Sequence, residues 1–161
     1  MKFIKNYNLF IVLITTFLLD RISKYIIINK VNSSGENEIF NSKFLNFELI
    51  WNKGIAFGLL SFSSNTIYNV ISLIIFLVIL IIIFLLFKSK KIEKLFLTLI
   101  LGGAIGNLYD RIIYKSVPDF IDFHINNFHW FIFNIADIFI TMGVIFMISL
   151  EFMNINNEKK L

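Results

Sequence analysis

The stretch that decides the fold class is IYNVISLIIFLVILIIIFLLF, residues 67–87. Its polar side chains, Tyr68, Asn69 and Ser72, lie near one end of the stretch. A helix needs about 20 apolar residues to cross a hydrocarbon core about 30 Å thick. This segment of 21 residues therefore predicts a membrane-spanning helix, and the chain that carries it is predicted to be an integral membrane protein.

The composition of the whole chain agrees with that prediction. Of the 161 residues, 57% are hydrophobic and 16% are charged, whereas soluble domains are about 45–50% apolar and about 25% charged. The chain has no cysteine, which excludes disulfides, thiolate metal sites, iron–sulfur clusters and cysteine nucleophiles. The net charge of +4 is first a topology signal in a membrane protein, and we expect no nucleic-acid partner.

Three further segments have the length and apolar character of a spanning helix. With the first they predict four transmembrane helices in a single domain, residues 1–161: spans at 8–28, 67–87, 95–114 and 131–153, and outer loops at 29–66 and 115–130. Lys2 and Lys5 before the first span resemble the start of a signal peptide. Asp20-Arg21 stands where its cleavage site would be, so we expect an uncleaved first helix.

The placement of the lysines predicts the orientation in the membrane. Short flanks of the spans hold Lys2, Lys5, Lys88, Lys90, Lys91, Lys94, Lys159 and Lys160. Because such flanks stay in the cytoplasm, we expect both termini to be cytoplasmic. The polar intrusions into the spans then share the outer level of the bilayer: Asp20, Asn107, Asp110 and Asp137.

The outer segments carry the alternating pattern of half-buried strands. Residues 44–52 alternate apolar with polar side chains, and residues 120–131 show a shorter alternation before an Asn126-Asn127 turn. Such alternation predicts β-strands. We therefore expect an all-α membrane protein whose four-helix bundle carries a small extracytoplasmic β-sheet cap.

Ionisable residues within spans cost free energy and persist when they pair or perform chemistry. Asp20 and Lys24 have the i,i+4 spacing of a helical ion pair. Asp110 has Arg111 beside it and Asn107 one turn earlier, so structural pairing is the favoured interpretation for this group as well.

Asp119 and Asp137 differ from the paired acids. Asp137 lies in an apolar run with Asn134 one turn away and no cation within two turns. Asp119 follows Pro118, which favours an extended segment facing the outer end of the bundle, with Asp122 on the opposite face. Two carboxylates at one site share a proton, so that one acts as base on a water and the other as acid. The residues alone leave three roles open for this pair: an aspartyl hydrolase site, helix packing or an ion pathway.

Two smaller patterns have ordinary explanations. His124 and His129 with Asp122 suggest a metal site only weakly, because interfacial histidines are more common, and we expect no metal and no cofactor. Gly102 and Gly106 form a small-xxx-small pair, which is typical of a helix-packing surface.

Five segments together resemble the lipoprotein signal peptidases (signal peptidase II). They are DRISK at 20–24, NKGIAFG at 52–58, GGAIGNLYDR at 102–111, VPDF at 117–120 and FNIAD at 133–137. The segments follow the family's order, and the resemblance covers essentially the whole chain. Pro118 and Ile138 depart from the family's pattern, which more usually has an aliphatic residue and a serine there.

The resemblance implies an intramembrane aspartyl endopeptidase of the bacterial cytoplasmic membrane, with its active site near the outer face. Its substrate would be a diacylglyceryl-modified prolipoprotein, cut just before the lipidated Cys by the pair Asp119 and Asp137. The residues implied to line or support the substrate site are Asn52, Gly54, Asn107, Arg111, Asn134, Ala136, Asp20 and Lys24. Membrane lipid is the other expected partner, and we expect a monomer. The alternative function is a small ion- or proton-coupled membrane carrier that uses Asp137 and Asp20.

Overall fold

The computed structural model describes residues 6–54, 65–126 and 128–158. Four helices and four strands follow one another in this part of the chain: α1 Asn6–Ser34, β1 Glu38–Phe40, β2 Leu45–Asn52, α2 Asn65–Lys88, α3 Lys91–Tyr114, β3 Val117–Ile125, β4 Phe128–Phe133 and α4 Ile135–Glu158. Parts of four predictions lie outside the described residues: the end of the loop 29–66, residues 55–58 of the segment NKGIAFG, Asn127 of the predicted turn and the lysine flanks at the two termini.

Three of the described helices are long and apolar enough to cross a membrane: Tyr68–Lys88, Lys91–Tyr114 and Ile135–Met153. α2 leaves large apolar side chains such as Leu73, Ile74 and Phe87 exposed, as a surface that faces lipid would. The predicted first span, residues 8–28, lies inside α1, which is a single continuous helix.

One helix extends beyond its predicted span, and one predicted span begins at the wrong residue. α1 continues beyond residue 28 to Ser34, where Gly35 adopts a φ of 74° and its N–H donates to the carbonyl of Val31 over 2.9 Å. A left-handed glycine is a common helix stop. The predicted span 131–153 begins too early, because residues 131–133 belong to β4 and α4 begins at Ile135.

The strands form one antiparallel sheet in the order β1-β2-β3-β4. β2 and β3 confirm that the alternating segments are strands, whereas the sequence pattern does not predict β1, which has three residues. Pro118 lies where β3 pairs with β2 alone, since the pairing of β3 with β4 begins at Ile121. A sheet edge tolerates proline, so Pro118 fits the strand that carries Asp119.

Apolar packing holds the helices to one another and to the sheet. One cluster joins α2 to α3 and consists of Ile79, Ile82, Leu97, Leu101 and Ala104. A second cluster joins α1 to the sheet through Ile27, Leu49 and Phe120.

The predicted glycine surface brings α1 and α3 into close contact. A Cβ on Gly106 would lie 2.5 Å from Asp20 Oδ2, and one on Gly102 would lie 2.8 Å from Thr16 Cβ. Neither position has room for a side chain, so the packing role of this pair is confirmed. The close approach also brings Asp20 of α1 against the helix that carries Asn107 and Asp110.

Candidate active site

Asp119 lies on β3 with only 2% of its surface exposed. Its Oδ2 accepts a hydrogen bond from Asn52 Nδ2 over 2.8 Å, and its Oδ1 accepts one from Asn134 Nδ2 over 2.6 Å. Asn52 is itself fixed, because its Oδ1 accepts the backbone N–H of Gly54 over 2.7 Å. The strand and two asparagines therefore hold the Asp119 carboxyl in one orientation.

Asp137 lies in the first turn of α4, where it completes a reciprocal cap with Asn134. The N–H of Asp137 donates to Asn134 Oδ1 over 3.1 Å, and the N–H of Asn134 donates to Asp137 Oδ2 over 3.2 Å. This is the capping-box arrangement, with asparagine at the N-cap and an acid three residues later. The other oxygen, Asp137 Oδ1, accepts from Asn107 Nδ2 over 2.8 Å.

Asn134 therefore contacts both acids at once, through its side chain to Asp119 and through its cap to Asp137. Burial raises the pKa of Asp119 from its ordinary value of 3.8 to about 7, the charge of Asp137 adds to that rise, and the bonds from Asn52 and Asn134 oppose it. The Asp119 carboxyl thus changes its charge near neutral pH, where it can both accept and release a proton.

Four charged side chains form a buried cluster next to these acids. Lys24 Nζ lies 2.9 Å from Asp20 Oδ1 and 2.6 Å from Asp110 Oδ2, which confirms the predicted pair on α1. Arg21 contacts the same two carboxylates. The predicted pairing of Asp110 with Arg111 is wrong, because Asp110 turns toward Arg21 and Lys24 of α1 whereas Arg111 binds backbone carbonyls. Two cations and two anions balance, which a buried cluster requires.

The charged cluster is linked to the acids by two contacts. Lys24 Nζ donates to Asn107 Oδ1 over 2.8 Å, so the Nδ2 of the same amide points toward Asp137. Asp20 Oδ1 accepts the backbone N–H of Ala136, the residue before Asp137, over 3.1 Å. The cluster thus fixes the first turn of α4 from two sides.

Arg111 is 4% exposed and binds backbone rather than an acid. Its guanidinium donates to the carbonyl of Gly54 over 2.8 Å and to that of Asn107 over 3.3 Å. Within the described chain, Arg111 Nε has no hydrogen-bond partner. Tyr68, which the sequence reasoning passed over, is 7% exposed and donates its hydroxyl to the carbonyl of Arg111 over 3.0 Å. The position of this tyrosine at the polar end of an otherwise apolar span is the sequence signal that could have identified it.

An apolar cavity of about 290 Å³ opens beside Asp137. Its lining consists of Trp130, Phe133, Asp137, Ile138, Thr141 and Met142. Asp137 is the ionisable side chain among them, so a peptide segment in this cavity would meet a carboxyl on an otherwise apolar wall.

The ten residues predicted for the site form one connected set in the structure. The contacts run from Asn52 and Gly54 through the two acids and Asn107 to the charged cluster, with Arg111 bridging Gly54 and Asn107. Asp122 lies apart from this set, since its Oδ2 binds His129 Nδ1 over 2.8 Å. One asparagine therefore holds both buried acids, and Asp137 also lines the apolar cavity.

Comparisons with known proteins give a consistent result. A family model described as signal peptidase (SPase) II matches residues 12–153. The lipoprotein signal peptidase of Pelagibacter ubique (strain HTCC1062) is 48% identical over 157 residues, which cover 97% of this chain and 94% of that protein. The lipoprotein signal peptidase of Anaplasma marginale (strain Florida) is 40% identical over 89% of this chain and 83% of its own. A bacterial membrane enzyme solved by the in meso method at 2.3 Å resolution has a TM-score of 0.77 at 28% identity, covering 96% of this chain and 93% of that one.

Proposed function

Because the chain belongs to the signal peptidase II family, we propose that it removes the signal peptides of prolipoproteins with Asp119 and Asp137 as its catalytic pair. The observation that carries this proposal is the position of Asn134. Its side chain donates to Asp119 and its backbone N–H donates to Asp137, so one residue fixes both acids. Both carboxyls are buried, and Asp137 also lines the apolar cavity.

The reaction follows from a pair that holds one proton. The ionised carboxylate removes a proton from a water, whose oxygen attacks the scissile carbonyl carbon, while the protonated carboxyl donates its proton to the carbonyl oxygen. Collapse of the tetrahedral intermediate returns that proton to the pair and breaks the C–N bond. The nitrogen leaves as an amine after taking a proton from the pair, which restores the starting state with one proton.

The groups around the pair are suited to a peptide backbone. Within a bilayer a substrate backbone has no water to bond with, and the guanidinium of Arg111 with the amides of Asn52 and Asn134 supplies buried donors beside the acids. We infer that these groups, with Gly54 and Ala136, hold the chain on either side of the cut. The substrate would carry diacylglycerol on the Cys after the scissile bond, and that lipid stays in the surrounding leaflet.

The topology that this function needs is a fourth span in α1. The charges of its last third are enclosed: Asp20 and Lys24 are 0% and 1% exposed, and Asp110 of α3 completes their pairing. The outer surface of the same helix is apolar, with Phe10 and Leu18 exposed. We infer that α1 crosses the membrane with its charges turned inward, as part of a monomeric single domain with both termini in the cytoplasm and the site near the outer face.

The carrier alternative receives less support from the same contacts. A carrier needs access from both faces, but the cluster that packs α2 against α3 is apolar and includes Ile79, Leu97 and Leu101. Asp20 is occupied by Arg21, Lys24 and the N–H of Ala136 rather than open to a channel.

The test uses the purified chain and a diacylated prolipoprotein, with cleavage measured by gel shift. Asp119→Asn and Asp137→Asn are each expected to lower the rate by at least about a thousandfold, since the pair acts as a unit. The chain's five aspartates are all buried, so the control is Glu48→Gln, which removes a carboxylate from β2 outside the site and should cleave at the wild-type rate. Near-normal cleavage by either aspartate variant would refute the assignment.

A further inference from the structure

A second group of ligand-type side chains lies on the β3–β4 hairpin, outside the contacts that fix the two acids. Asp122, His124 and His129 each present a ligand atom, and these three atoms all lie within 4.8 Å of one another. His124 and His129 are directly opposite each other in the strand pairing, with their rings stacked 4.9 Å apart. The two histidines, which suggest a metal site only weakly in the sequence, are therefore a cross-strand pair in the structure.

The distances within this group suit a small divalent cation. His129 Nδ1 lies 2.8 Å from Asp122 Oδ2, and His124 Nδ1 lies 3.7 Å from the same oxygen. Zn²⁺ binds nitrogen and oxygen ligands at about 2.0–2.2 Å in tetrahedral geometry, which separates its ligand atoms by roughly 3.3–3.6 Å. The two distances lie on either side of that range and the ligand atoms all lie within 4.8 Å of one another, so side-chain rotations that bring the two histidines closer would complete the geometry.

Two buried atoms of this group are left without hydrogen bonds. Among the residues that the structure describes, Asp122 Oδ1 and His124 Nδ1 find no partner, although Asp122 is 2% and His124 9% exposed. An unsatisfied buried polar atom destabilises the folded state. A metal bound here would occupy the lone pair of His124 Nδ1 and give that buried atom a partner.

We propose that Asp122, His124 and His129 form a binding site for a divalent transition-metal cation of the zinc class. Three protein ligands leave a fourth position, and the His129 side chain is 53% exposed, so water or a solvent ligand would complete the coordination. Asn46 Nδ2 lies 3.5 Å from Asp122 Oδ2 and would orient the carboxylate from the next strand. Imidazole and carboxylate ligands favour such metals over Mg²⁺ or Ca²⁺, which prefer all-oxygen sites.

The site would tie together the two strands that lead to the acids. β3 carries Asp119 and Asp122, and β4 runs from His129 toward Asn134 at the start of α4. A metal at the turn end of this hairpin would hold the strand pairing without contacting the reacting atoms. The inference does not depend on the peptidase assignment.

The composition of the chain makes the test specific. It has two histidines and no cysteine, and both histidines lie in this group, so histidine coordination by an untagged chain has one source. The purified full chain, free of any histidine tag and dissolved in detergent micelles, is titrated with ZnCl₂ by calorimetry, and the Zn²⁺-loaded wild type is examined by X-ray absorption spectroscopy.

We expect one saturable Zn²⁺ per chain, imidazole scattering in the X-ray absorption spectrum, and no competition from excess Mg²⁺. His124→Gln and His129→Gln should each weaken Zn²⁺ binding by at least about tenfold, while Glu48→Gln should bind as the wild type does. Wild type that binds no more tightly than a His124→Gln/His129→Gln variant would overturn the site. A zinc spectrum with oxygen ligands alone would overturn it too, and this measurement needs no variant to fold.

Discussion

Asn134→Ser is expected to shift the pH dependence of cleavage while leaving α4 capped. The Asn134 side chain donates to Asp119 Oδ1 over 2.6 Å, and this hydrogen bond opposes the rise that burial and the Asp137 charge produce in the pKa of Asp119, which reaches about 7. Serine is too short to supply that donor. It still caps a helix about as well as asparagine does.

The size of the shift follows from the energy of the lost hydrogen bond. A hydrogen bond to a charged group contributes about 1.5–3 kcal/mol, and one pKa unit corresponds to about 1.36 kcal/mol. Without its donor, the pKa of Asp119 should therefore rise by about one to two units. In the proposed mechanism the pair is active with one proton, so activity should be lost as pH rises through the pKa of Asp119. The alkaline limb of kcat/KM should move to higher pH by the same amount.

The assay is cleavage of a diacylated prolipoprotein between about pH 5 and about pH 9 by wild type, Asn134→Ser and Asn134→Ala. The Asn134→Ala variant loses both the donor and the cap. Its alkaline limb should move by the same amount, and its free energy of unfolding should fall by about 1 kcal/mol. The Asn134→Ser variant should show the same shift of the alkaline limb without that loss of stability. If both variants keep the wild-type limb, Asn134 does not set the pKa of Asp119 and the reasoning is refuted.

Two further predictions concern stability. The pKa of Asp119 is raised above its ordinary 3.8, so its contribution to stability is fully present below about pH 4 and is lost as pH rises through about 7. Asp119→Asn, which cannot ionise, should therefore gain in Tm relative to wild type between about pH 5 and about pH 8, measured by scanning fluorimetry; a difference that is constant with pH would contradict this. Lys24→Met leaves one cation for two buried carboxylates and should cost about 3–5 kcal/mol in thermal or denaturant unfolding. Lys30→Met, at an exposed position of the same helix, should stay within about 0.5 kcal/mol of wild type, and equal losses in the two variants would contradict the role of the cluster.

Patterns within one element predicted much of this fold. The apolar run at α2 and the alternation at β2 are each decided by which faces a single element buries, and the sequence carries that information directly. The sequence also contains a signal for the start of α4. Asn134 with Asp137 three residues later is a capping box, and reading it as one moves the helix start from residue 131 to Ile135.

The sequence does not predict contacts between distant elements in the same way. Lys24 and Asp110 are 86 positions apart, and no local period indicates that Asp110 turns toward α1 rather than toward its neighbour Arg111. The contact between the two histidines could be predicted in part. Once a hairpin is assumed, a turn at Asn126 places His124 opposite His129.

The charged cluster explains why residues remote from the reaction belong to the site. Its four charges cancel, so its main effect on Asp137 is orientation rather than net charge. An asparagine amide has a donor end and an acceptor end, and Lys24 occupies the acceptor end of Asn107, which leaves the donor end for Asp137. Asp20 meanwhile holds the N–H of Ala136. Lys24 and Asp20 therefore act on Asp137 through one amide and one turn of helix, and replacing either should disturb the geometry of Asp137.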